Sequence, residues 1–232
     1  MNWVLIGAGA IVGIVAAGFL FYRMRLIGER ALMAKTQTSR AADVASLPPG
    51  STVEVIGTLR CPNPVMGEFS NLPCAWFRSE INRTVTRPNN QGTETTRVHY
   101  NTMYAPCLVE DASGRVNLNL DGAEVEGQQV VNREEMEGGA VNVIVNAMQN
   151  VNARRRYTET ILAPNIAVYV LGQVQADQSI GKHGSTSNVF VVSNRSKEER
   201  SKSLGHWITG LLVLGIVLAI VAIGLIGWGL RG

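Results

Sequence analysis

The sequence predicts an all-β soluble domain, of antiparallel barrel or sandwich type, flanked by two transmembrane helices. Three observations predict it. Two runs without a charged residue, Trp3 to Tyr22 and Trp207 to Leu230, are each long enough to cross a hydrocarbon core of about 30 Å at about 1.5 Å per helical residue. Between them, from Ser51 onward, apolar residues recur mainly with period two, the pattern of half-buried strands. That middle stretch shows no long helical periodicity. The resulting division is a span over 1–22, a helical juxtamembrane stalk over 23–47, a β domain over 48–196, a basic helical linker over 197–206 and a second span over 207–230.

The second run organises the chain. Thr209 is its only clearly polar side chain, and Trp207 and Trp228 stand at its ends, where amphipathic rings prefer the headgroup level. A soluble helix of this length needs a polar face, and this one has none. The first run reads as an uncleaved span. Its basic residues (Arg23, Arg25, Arg30, Lys35, Arg40) follow the apolar stretch, whereas a signal peptide carries them ahead of it. Gly9, Gly13 and Ala17 recur every four residues, as do Gly215 and Ala219, spacings that let helices approach closely. Glycine and alanine are also simply common in membrane helices.

Residues 23–47 read as helix continuing out of the first span and stopping at Pro48-Pro49-Gly50. They form a stalk or, alternatively, an in-plane surface helix. Seven to nine strands are then expected. Thr52 to Leu59 alternates, Cys74 to Arg87 is a long strand with Trp76 as a core aromatic, and Thr95 to Tyr104 returns after a polar loop. Asp111-Ala112-Ser113-Gly114 turns a hairpin. Residues 124–153 are ambiguous between strand and partner-ordered loop, with Val141, Val143 and Val145 alternating. Tyr157 to Leu162, Ile166 to Val174 and Asn188 to Val192 complete the set, Ile166 to Val174 being the most apolar. Lys197 to Ser203 is expected to be helical and to feed into the second span.

Charge is segregated. The net +3 comes from collars beside the spans: five basic and one acidic residue over 23–40, four basic and two acidic over 195–202. Residues 41–194 carry eleven basic and fifteen acidic residues, so that part is acidic. This argues against nucleic-acid binding, which concentrates Lys and Arg on the binding domain itself. It fits topology signals and contact with anionic lipid headgroups. By the positive-inside rule the middle domain is cytoplasmic and the short termini lie outside, if the membrane is a bacterial inner membrane. Cys61, Cys74 and Cys107 read as reduced thiols, with a Cys61–Cys74 bridge left open.

A search for chemistry assigns no catalytic, cofactor-binding or metal-binding residue. There is no GxxxxGK, HExxH or GxSxG. Gly7 to Gly13 resembles a dinucleotide fingerprint only superficially, inside a span. His99, His183 and His206 are scattered, and His99 has no evident nucleophile partner. Glu110 and Asp111 are adjacent but face opposite sides of a strand. Glu134, Glu135 and Glu137 form a solvated acidic loop or, less simply, a cation site. Arg154-Arg155-Arg156 form a solvated face or, less simply, a phosphate or anionic-lipid contact.

Several segments, in order, resemble the GIDE or "beside a membrane" (BAM) domain. They are Val55-Ile56-Gly57-Thr58; Pro73 to Arg78, PCAWFR; Leu108 to Val116, LVEDASGRV; Tyr157 to Pro164, YTETILAP; Val168 to Gly172, VYVLG; and Phe190 to Ser196, FVVSNRS. The family includes mitochondrial-anchored and chloroplast outer-envelope ubiquitin ligases and many prokaryotic relatives. The resemblance implies a zinc-binding RING after the second span in the eukaryotic ligases, with eight ligands. Here the sequence stops at Arg231-Gly232 and holds three cysteines, so RING-type ubiquitin transfer is not expected. The 121–153 stretch is longer than the resemblance implies.

The expected function is a membrane-anchored, non-catalytic scaffold that presents a β domain beside the bilayer and self-associates as a homo-oligomer. The alternatives are a ubiquitin-ligase-family protein by label, or a lipid-handling or membrane-remodelling component. Membrane lipids are expected contacts, nucleic acid is not, and no cofactor is expected. The resemblance adds a LemA-type membrane protein as a possible partner.

Overall fold

The apolar runs fold as two long helices, α1 (Trp3–Lys35) and α2 (Lys197–Arg231), in the computed structural model, which describes residues 2–86, 92–137, 152–182 and 189–231. The chain forms two compact units: Met1–Gln37 with Arg195–Gly232, and Thr38–Asn194.

In the helical unit, both helices are long and apolar enough to cross a membrane. Each start is capped locally. The Asn2 side chain accepts from the Val4 N–H at 3.1 Å. Ser196 and Glu199 form a reciprocal capping box: the Ser196 hydroxyl accepts from the Glu199 N–H at 3.2 Å, and the Glu199 carboxylate from the Ser196 N–H at 3.3 Å. The charged stretch from Lys197 therefore runs unbroken into the second apolar run, as expected.

The helices pack antiparallel through small residues spaced by seven, not by four. Ala16 and Ala222 are buried, and so are Gly9, Gly215 and Gly229. A Cβ at Gly9 would stand 2.6 Å from Ile226 Cγ1 and 3.0 Å from the Ala222 carbonyl oxygen. One at Gly229 would stand 3.0 Å from the Asn2 carbonyl oxygen. Seven residues are close to two helical turns, so these positions stack along one seam. Of the step-of-four set, Ala17 is exposed and Gly13 only grazes Ala222. The small-residue face is thus used within the chain.

Beyond the apolar runs, Glu29 of α1 meets Arg200 of α2. Arg200 Nη2 donates to Glu29 Oε1 at 2.6 Å and Nε donates at 3.1 Å, with both side chains almost wholly buried. Lys197 Nζ donates to the Thr36 carbonyl at 3.3 Å.

The expected helix over 23–47 is corrected. α1 ends at Lys35, where Thr36 turns back to bond Leu32 through its N–H and its hydroxyl. The hydroxyl residues that follow offer the backbone other partners. In the β unit, Thr38 donates to the buried Glu54 carboxylate at 2.7 Å and Ser39 N–H bonds the Glu54 carbonyl. A 3₁₀ helix then covers Ala41–Ser46.

The β unit has thirteen strands among the described residues: β1 (Thr52–Arg60), β2 (Val65–Met66), β3 (Pro73–Cys74), β4 (Trp76–Thr86), β5 (Thr93–Tyr104), β6 (Cys107–Asp111), β7 (Gly114–Leu118), β8 (Glu124–Glu126), β9 (Gln128–Met136), β10 (Asn152–Leu162), β11 (Ala167–Val174), β12 (Ile180–Gly181) and β13 (Val191–Ser193). They exceed the seven to nine expected because several are only two or three residues long. Seven strands run in the order β1-β6-β7-β12-β11-β13-β8, and a further β1–β11 pairing closes five of them into a ring. The core lies inside, around Val53, Val55, Val109, Val170, Ile180 and Phe190. As expected from its composition, β11 is almost wholly buried.

A second, antiparallel sheet has the order β5-β4-β10-β9. Its inner end joins Trp76 and Leu162 to the core. Two bulges interrupt it, one leaving Val98 of β5 extra and one leaving Val130 of β9 extra. Residues 128–136, ambiguous in the sequence, are the edge strand β9, and the arginine triplet lies within β10. The expected strand around Val141, Val143 and Val145 lies outside the described residues.

Candidate functional site

The outer half of the four-stranded sheet is the least core-like part of the β unit. Strand alternation sends Arg83 and Arg155 to one face and Asn82, Thr84, Arg154 and Arg156 to the other. The acidic run sits on β9 opposite the basic run on β10, with Glu134 directly across from Arg156 and Glu135 from Arg155. On one face Glu137 takes Arg83 at 2.7 Å and Arg155 at 2.7 Å. Those two guanidinium groups, Arg83 first, hold its carboxyl below the usual range against a smaller opposing effect of burial. Arg133 pairs with Glu135 at 3.1 Å and lies over the Tyr157 ring at 5.1 Å.

The other face carries a shallow cleft of 430 Å³, lined by Asn82, Thr84, Thr86, Thr95, Glu134, Arg154 and Arg156. Thr84 and Thr95 hydroxyls lie 3.1 Å apart across the strands. Arg156 donates to the Asn132 side chain at 3.0 Å, and Arg154 stands 3.9 Å from Glu134. These groups can bind and orient a ligand, and Glu134, beside Arg154, is the carboxylate among them. The sequence noticed the glutamates and the arginines as two separate runs. The structure makes them cross-strand partners, and the glutamates point to opposite faces instead of converging.

Toward the core, two carboxylates dock residues 67–72 onto the sheet. Fully buried Glu159 accepts from the N–H groups of Phe69 at 3.1 Å and Ser70 at 2.7 Å. Glu68 accepts from the Ser79 hydroxyl and from Asn101 at 3.1 Å, and its Oε1 lies 3.0 Å from His99 Nε2. Burial pushes the Glu68 carboxyl upward, but the bonds from Ser79, Asn101 and His99 outweigh it and hold the group below its usual value. His99 therefore has a carboxylate partner. Serine and imidazole both bind that carboxylate, so the serine proton points at Glu68 and the order of a nucleophilic triad is absent. Phe69 packs edge-on to Tyr157 at 5.7 Å.

Glu110 and Asp111 diverge, as the strand reading expects. Glu110 pairs with Arg60 at 2.7 Å, and Asp111 accepts from the Ala41 N–H at 2.8 Å. Burial works upward on Asp111, but the Ser113 hydroxyl and the N–H groups of Ala41, Ser113 and Gly114 hold it at about 2. All three cysteines are free thiols, so the bridge left open between Cys61 and Cys74 is not formed. Burial raises Cys107 to about 12 and, with the nearby Glu159 charge, Cys74 to about 11. It raises Cys61 as well. Among the described residues no group of three or more His, Cys, Asp or Glu side chains is placed to hold a metal ion.

Two span-length apolar helices and a β domain with an exposed polar sheet define a membrane-associated protein. The chain belongs to the GIDE family, whose model, described as E3 ubiquitin ligase, matches residues 79–227. The match runs from the middle of β4 to near the end of α2 and includes β5, β9 and β10. No curated protein and no solved structure matches the chain.

Proposed function

We propose that this chain is a membrane-anchored, non-catalytic scaffold that presents its β domain beside the bilayer and self-associates. The observation that carries this reading is the four-stranded sheet. Its outer half is polar on both faces, holds paired charges, and leaves two strand edges without a described neighbour. A sheet that buries little of its own surface is suited to bind something else. The basic collars favour a cytoplasmic β domain at a bacterial inner membrane and contact with anionic lipid. A LemA-type membrane protein is the partner the resemblance suggests.

The test is the mass of the full chain in nanodiscs or detergent. A defined oligomer supports the reading, and a monomer that captures no partner overturns it. A second reading, a part in ubiquitin ligation, rests on the family description. Within these residues three cysteines and three histidines fall short of the eight ligands of a RING. Discharge of ubiquitin from a loaded conjugating enzyme by the purified chain would favour that reading over the scaffold.

A further inference from the structure

The four-stranded sheet has two open edges among its described residues, β5 and β9. An open edge presents a row of unpaired N–H and C=O groups and serves as a template for another strand. β4 runs antiparallel to β5 and to β10, and β10 runs antiparallel to β9. It follows that β5 and β9 point in opposite directions. A β9 edge set beside the β5 edge of another copy continues the antiparallel alternation without a break.

We infer that Thr93–Arg97 of β5 pairs antiparallel with the 130–134 segment of β9 in a second copy of this chain, joining their four-stranded sheets edge to edge. The inference rests on the self-associating scaffold proposed above and names its contact. The register follows from three constraints. Residues across an antiparallel pair must share a face. Glu94 aligns with Val85, and Arg133 with Tyr157, and both belong to the face of Arg83 and Arg155. Setting Glu94 opposite Arg133 therefore keeps the faces and places opposite charges together. Thr95 then lies opposite Asn132, Thr96 opposite Val131, and no like charges meet in the segment. The same register puts Val130 opposite Arg97, so the bulged residues Val98 and Val130 fall one position apart and regular pairing runs outward from them. Because β5 lies at one edge and β9 at the other, the contact is head-to-tail and propagates from copy to copy.

The experiment uses full-length chains in nanodiscs, with Cys61→Ser removing the partly exposed thiol. One preparation carries Thr95→Cys, another Asn132→Cys, and a third mixes the two before reconstitution. Each is treated with a short bismaleimide, and its mass is measured before treatment. The expected result is cross-linked dimer in the mixture and at least tenfold less in either single variant. Glu94→Lys should lower the cross-linked fraction several-fold, and Arg133→Glu on the partner copy should restore it. Cross-linking of Thr95→Cys alone, or of Asn132→Cys alone, overturns the head-to-tail pairing in favour of like edges meeting. An oligomer by mass with no cross-link in any preparation overturns the edge contact and leaves the scaffold reading standing. A monomer by mass overturns both.

Discussion

Glu29 and Arg200, far apart in sequence, form a doubly hydrogen-bonded ion pair between the two long helices, and both side chains are nearly sealed from solvent. A pair in this position fixes helix register, since sliding either helix by a turn would strand a charge. Removing one partner leaves the other buried without compensation, at a cost of about 3–5 kcal/mol. Glu29→Ala is expected to destabilise the helix pair on that scale. The double variant Glu29→Leu with Arg200→Met is expected to recover most of the loss, since well-packed apolar residues replace such pairs at little cost. Denaturant titration followed by tryptophan fluorescence measures both, because Trp3, Trp207 and Trp228 all lie on these helices.

Gly7 and Gly9 are two residues apart and face opposite demands. Gly9 has the Ala222 and Ile226 backbone against it, while a Cβ at Gly7 meets nothing within 4 Å. Gly9→Leu should force the helices apart at a cost of about 1–3 kcal/mol, the range for overpacking. Gly7→Leu should stay within about 0.5 kcal/mol of the parent. The same titration decides it, and equal effects from both would show that the glycine seam does not hold the helices.

Asp111 joins the start of the 3₁₀ helix to the β6–β7 hairpin. Its carboxyl sits at about 2 in the folded protein, against about 3.9 when unfolded. The folded value is the lower one, so the stabilisation is present above about pH 4 and is lost as pH falls toward 2. Asp111→Asn should flatten the stability profile between those values and cost about 1–2 kcal/mol at neutral pH through weakened hydrogen bonds. Melting temperature against pH for both proteins is the readout, and parallel curves would remove Asp111 from the account.

The three thiols should separate cleanly by reactivity. The thiolate is the reactive form, and Cys74 and Cys107 are raised to about 11 and about 12 in buried sites. At neutral pH iodoacetamide should label Cys61 alone, slowly, and all three after denaturation. Mass spectrometry of peptides counts them. Rapid native labelling of Cys74 would mean that the short β2–β3 pair opens readily.

Much of this was legible in the residues. Charge-free runs of span length admit few structures, and the period-two stretches fixed β4, β5 and β11 within a few positions. Lys197 to Ser203 reads as helix from its residues, and the structure adds the Ser196–Glu199 capping box that starts it. What failed was local reading where distant partners decide. The helix ends twelve residues short of Leu47 because Thr36, Thr38 and Ser39 are drawn to Leu32 and Glu54, contacts that periodicity does not reveal. The seam of Gly9, Ala16, Gly215 and Ala222 was hidden behind the commoner step of four. The glutamate and arginine runs look independent along the sequence, since only the β9–β10 register shows that they meet. Strands as short as β2, β3 and β12 carry no pattern of their own.

The antiparallel pairing of α1 with α2 also sets a timetable for synthesis. About 160 residues separate Lys35 from Lys197, and at roughly 5–20 residues per second they take roughly ten to thirty seconds to translate. Through that interval the first helix waits in the bilayer with its glycine seam uncovered and Glu29 without its arginine. Nascent chains made side by side on one message have time to exchange helices before either is complete.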